Sequence, residues 1–78
     1  MDRYQLRNFL DREGISRNAY AFGRPGRDEQ SVLSPIEGGW TVYYWERGLK
    51  TSVKEFETED EACRYLFDIL VRDPTARC

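Results

Sequence analysis

Gly38-Gly39-Trp40-Thr41-Val42-Tyr43-Tyr44-Trp45-Glu46-Arg47-Gly48 reads as one β-strand bounded by glycine turns, with large aromatic rings on both of its faces. Strand side chains alternate, so Trp40, Val42 and Tyr44 point one way and Thr41, Tyr43 and Trp45 the other. One face covers a core. We place Trp40, Val42 and Tyr44 there, which turns Tyr43 and Trp45 outward as raw material for a binding surface; a bulge near Gly48 or Leu49 would reverse the faces.

Working outward, Arg47-Gly48 marks a tight connection to a further strand over about residues 50–56. On the other side, Val32-Leu33 opens a strand that Pro35 limits to an edge or a short segment, because proline lacks the ladder donor. Residues 23–30 hold two glycines, a proline and four charges, and read as a loop. Before it, Tyr20 and Phe22 share one face of a short first strand. Consecutive strands at this spacing make an antiparallel meander.

Helices close both ends. Asp2 caps a first helix that runs to about Glu13, with Leu6, Phe9 and Leu10 on its apolar stripe and Gly14 as its stop. Thr58 and Glu61 have capping-box spacing, and Ala62, Tyr65, Leu66, Ile69 and Leu70 follow at helical spacing up to the stop at Asp73-Pro74. The expected fold is α+β: a three- or four-stranded antiparallel meander flanked by an N-terminal and a C-terminal helix (α-β-β-β-β-α), a two-layer sandwich in a single domain spanning 1–78, with a frayed tail from about residue 74.

The 78 residues are 40% hydrophobic, 33% charged and 14% aromatic, a soluble globular composition in which the rings supply much of a small core. No apolar run approaches a membrane span and the first residues lack a signal segment, so no membrane contact is expected and the expected compartment is the cytoplasm. The net charge of −2 is unevenly spread. Residues 1–27 carry six arginines against three acids, whereas residues 28–78 carry six bases against eleven acids. Such polarity favours docking with a charged partner.

There is no histidine, hence neither the usual general base nor the commonest zinc ligand. Cys63 reads as a small apolar filler of the last helix, and Cys78 as part of the frayed tail. Glu46 and Arg47 are adjacent on a strand and do not converge as an acid–electrophile pair. We therefore expect no enzyme, no cofactor and no metal. The element order is also that of double-stranded RNA-binding domains, but five of the seven residues from Glu55 to Glu61 are acidic where such domains present lysines to phosphate. Nucleic acid is not the expected partner.

Phe9-Leu10 with Gly14-Ile15, Gly39-Trp40 through Tyr44, Glu46-Arg47-Gly48, Phe56 with Glu59-Asp60-Glu61-Ala62, and Asp73-Pro74-Thr75 with Arg77 together resemble the small immunity proteins encoded beside polymorphic or contact-dependent inhibition toxins. The resemblance implies a cytoplasmic, non-enzymatic inhibitor that binds a cognate toxin domain and blocks its active site. It carries no contact residues with it. From side-chain chemistry we expect Tyr43, Trp45 and Arg47 to act as anchors and Glu46, Asp28 and Glu29 to meet basic groups of the partner, with the free protein a monomer or weak dimer. The competing expectation is a self-associating accessory protein whose aromatic face pairs with its own copy.

Overall fold

The computed structural model describes residues 1–77, built as α1 (Arg3–Arg12), β1 (Tyr20–Phe22), β2 (Gln30–Ile36), β3 (Gly39–Glu46), β4 (Leu49–Phe56) and α2 (Glu59–Val71). Two 3-10 turns, Arg17–Ala19 and Pro74–Ala76, follow the helices. The strands form one sheet in the order β1-β2-β3-β4. Among the described residues no helix is long and apolar enough to cross a membrane.

Local chemistry fixes the helix ends. The Asp2 carboxylate accepts from the Gln5 amide at 2.9 Å while the Gln5 side chain accepts from the Asp2 amide at 3.0 Å, a reciprocal cap. At the other end Gly14 adopts φ +76°, letting the Ile15 amide reach the Leu10 carbonyl at 3.0 Å and the Gly14 amide reach that of Asp11 at 3.1 Å. This Schellman closure carries Ile15 under the helix, where it is buried. At the start of α2 the Glu61 amide donates to the Thr58 hydroxyl, which donates in turn to the Glu61 carboxylate rather than leaving that group to the Thr58 amide.

The helices lie side by side and run the same way. At their starts the Met1 amine meets Asp60 at 2.7 Å and Arg3 meets Glu59 at 3.0 Å; near their ends Phe9 and Phe67 make an edge-to-face pair with centroids 6.4 Å apart. Leu6, Leu10, Ala62, Cys63, Leu66 and Leu70 are sealed against Tyr20, Leu33 and Val42 from the sheet. Phe9, expected on the apolar stripe, sits instead on its flank and is exposed, where its ring still covers the edge of Phe67.

Asp60 gathers two cations. The Met1 amine first, and the Arg64 guanidinium second, hold its carboxyl below the usual 3.8. A carboxylate depressed on folding stabilises the fold above its unfolded pKa and loses that contribution as pH falls through the folded value. Asp60→Asn is therefore expected to lower the urea midpoint at neutral pH and to match the parent protein once the pH falls well below about 4. A constant difference across the acid range would contradict this coupling.

Cys63 is fully buried, as a filler should be, and burial pushes its thiol up to about 11. In a Cys78→Ser protein it should resist an aromatic disulfide reagent at neutral pH and react at once in denaturant; rapid native labelling would show that α2 opens. Cys78 itself lies outside the described residues.

Three features depart from expectation. First, only β2, β3 and β4 form the antiparallel meander; β1 pairs with β2 in parallel, with Tyr20 beside Ser31 and Phe22 beside Leu33. A strand of three residues is short enough for the seven-residue loop 23–29 to return along it, where a longer parallel pair needs a crossover helix. The Gln30 side chain staples that return: its amide donates to the Asn18 and Tyr20 carbonyls and accepts from the Gly26 and Arg27 amides.

Second, β2 is an interior strand despite Pro35. The Gly23 amide binds the Leu33 carbonyl at 2.8 Å, so Leu33 turns its polar groups toward β1. Pro35, two residues on, faces the same side beyond the end of β1, where no bond is owed.

Third, Pro74–Arg77 is pinned rather than frayed. Asp73 caps the turn through the Thr75 amide at 2.9 Å, Ala76 is buried, the Ser16 amide donates to its carbonyl at 2.7 Å, and the Arg77 guanidinium reaches the carbonyls of Glu13 and Val71.

Candidate functional site

The register decides which ring faces where. Leu33 lies opposite Val42 on the helix side and Val32 opposite Tyr43 on the other, so Trp40, Val42 and Tyr44 face the helices and Thr41, Tyr43 and Trp45 face away. The bulge sits in β4, not at the hairpin: Val42 pairs with Lys54 but Tyr44 with Thr51, leaving Ser52 and Val53 together opposite Tyr43, with Ser52 at φ +52°. It bends β4 without reversing the faces of β3.

Tyr43 faces outward but is only 5% exposed. The Lys50 ammonium lies 4.7 Å from its ring centre, and burial pushes its phenol above the usual range. It does not stand open as an anchor. Its near neighbour Trp45 is half-buried and keeps ring surface available, flanked across the ladders by Gln30 and Lys50.

The remaining expected residues meet at one end of the sheet. Arg47 and Gly48, at φ +54° and +78°, form a two-residue hairpin turn whose mirror-image twist suits the strands and which sets Glu46 opposite Leu49. The Glu29 amide donates to the Trp45 carbonyl at 2.9 Å, tying the exposed Asp28-Glu29 loop to the end of β3. Glu46 is half-buried and Arg47 exposed.

On the helix side of the same end, beyond the last turn of α2, a cleft of about 480 Å³ opens. Tyr44, Asp28, Glu29, Leu70, Asp73 and Ala76 contribute to its wall. Burial, then the carboxylates of Glu46, Glu29 and Asp73, push the Tyr44 phenol above its ordinary range, a sign that negative charge converges on that ring. Arg27 also lines the cleft as its one guanidinium among the described lining residues.

Trp45, Glu46, Arg47, Asp28 and Glu29 are thus brought to one end, while Tyr43 is withdrawn from it. Tyr44 and Asp73 belong there and were missed. Tyr44 has core-facing parity, and nothing in the sequence says that α2 stops short of covering it; Asp73 reads only as a helix stop. The arrangement offers an acidic notch walled by Tyr44 and suited to a cationic side chain, with Trp45 on the opposite face of the same sheet end. Among the described residues no group of three or more His, Cys, Asp or Glu side chains is placed to hold a metal ion. No protein-family model, curated protein or solved structure matches the chain.

Proposed function

We propose that this chain is a small immunity-type inhibitor that binds a cognate bacterial toxin domain and neutralises it by covering its active site. The observation that carries the reading is the acidic cleft walled by Asp28, Glu29, Asp73 and Tyr44, with the Glu46 carboxylate adding to the negative charge at that ring, while Trp45 on the opposite sheet face and Arg47 in the hairpin turn stand at the same end. Trp, Tyr and Arg dominate interface hot spots, and a partly enclosed acidic cleft favours encounter with a basic partner. The resemblance supplies the class of partner; the cleft supplies its charge. The protein itself performs no chemistry in this role.

The test is calorimetry against the toxin domain encoded beside this chain. Trp45→Ala should weaken binding by at least about 2 kcal/mol, or roughly 30-fold, if the indole is a hot spot. Val53→Ala, half exposed on β4, should leave affinity unchanged. Equal affinity for parent and Trp45→Ala proteins, both folded, removes this end of the sheet from the interface.

Self-association has one observation in its favour: β4 is an open edge strand with Leu49 and Val53 exposed. The bulge at Ser52-Val53 and the two lysines of β4 oppose edge pairing. Sedimentation should show a monomer or a weak dimer; a tight dimer at low concentration transfers the assignment to self-association.

A further inference from the structure

A second surface, of opposite sign, lies along α1. Arg3, Tyr4, Arg7, Asn8 and Phe22 line a groove of about 360 Å³ between the helix and β1. The Arg7 guanidinium rests 5.1 Å from the Phe22 ring centre, and no carboxylate lies within ion-pair distance of it among the described residues. Arg3, by contrast, is spoken for by Glu59. Tyr4 is 81% exposed, the barest large apolar side chain among the described residues.

We propose that this groove is a docking site for an acidic peptide segment, in which Arg7 receives a carboxylate and Tyr4 and Phe22 take the neighbouring apolar atoms. The cation–π contact with Phe22 keeps the guanidinium beside the groove, where its N–H groups can meet a carboxylate. The Asn8 amide adds a donor and an acceptor. A nucleic-acid strand fits worse. Glu59 and Asp60 stand at the Arg3 end, where an isolated carboxylate avoids them but a backbone with phosphates at every step does not. The site does not depend on the toxin-binding proposal: it is lined by other residues and takes the opposite charge.

The test is a two-dimensional amide NMR titration at low salt with the acetylated tripeptide amide Leu-Glu-Leu, which carries one carboxylate between apolar side chains. Saturable shifts should centre on Tyr4, Arg7, Asn8 and Phe22. Arg7→Gln should weaken binding about fivefold, the ceiling for a surface ion pair, while Arg12→Gln, the same charge change at the guanidinium beside Phe9, should leave it unchanged. No saturable shift, equal losses in both variants, or tighter binding of a hexathymidylate would each overturn the proposal; the last would assign the groove to nucleic acid.

Discussion

Replacing Leu66 by alanine is expected to lower the unfolding free energy by about 2–5 kcal/mol. Leu66 is fully buried where both helices meet the sheet, packed in the cluster that holds Leu6, Leu10, Leu33 and Val42. Removing the side chain loses its transfer free energy and leaves a void that the surrounding elements close only in part. A domain of this length has roughly 4–12 kcal/mol in total, so the loss takes a large share and drops Tm by more than about 10 °C. The matched control is Leu49→Ala, 66% exposed on β4, which should stay within about 0.5 kcal/mol of the parent. Similar denaturation midpoints for the two variants would mean that the core is centred elsewhere.

Gly39→Ala is expected to be nearly as damaging for a different reason. The backbone of Gly39 runs against that of β4 where the strand ends, and a Cβ there would fall inside contact distance of the Phe56 carbonyl oxygen and within 3.4 Å of its carbonyl carbon. Main chain cannot swing aside as a flexible side chain can, so β3 and β4 must part at the pair that sets Trp40 beside Phe56. We expect a cost near the upper end of the about 1–3 kcal/mol typical of overpacking. Gly26→Ala, where an added Cβ meets only the Gln30 side chain at 3.7 Å, is the control and should be close to neutral. Chemical denaturation of both variants decides the matter, and a neutral Gly39→Ala would contradict the close approach.

Much of this fold is written locally. Caps need only a few residues to be recognised, so Asp2, Gly14 and Thr58 with Glu61 announce their helices, and Arg47-Gly48 announces its hairpin. Alternation also places Trp40 and Val42 against the helices correctly. What the pattern does not contain is pairing direction. Tyr20–Phe22 alternates whether its neighbour runs parallel or antiparallel, and the choice rests with the Gln30 amide, whose four bonds are invisible until the loop is closed. The bulge is equally silent, because Ser52 has no glycine to mark its positive φ.

The candidate site was legible in its loops and not in its walls. Asp28, Glu29, Glu46 and Arg47 are charged residues at turns, and turns place them together. Tyr43 and Tyr44 carry the same side chain at adjacent positions, and their exposures depend on partners distant in sequence: Lys50 roofs the first, while the length of α2 leaves the second uncovered. Asp73 joins them only because the Pro74–Ala76 turn folds back onto Ile15 and Ser16.

Hydrogen–deuterium exchange of the protein alone and in complex with the adjacent toxin domain tests the docking claim most directly. The amides within residues 27–29, 44–48 and 73–76, Pro74 having none, should slow on binding, because the acidic cleft and the adjoining end of β3 are what the partner covers. Protection confined to the free edge of β4, with those three segments exchanging as in the unbound protein, would contradict the account.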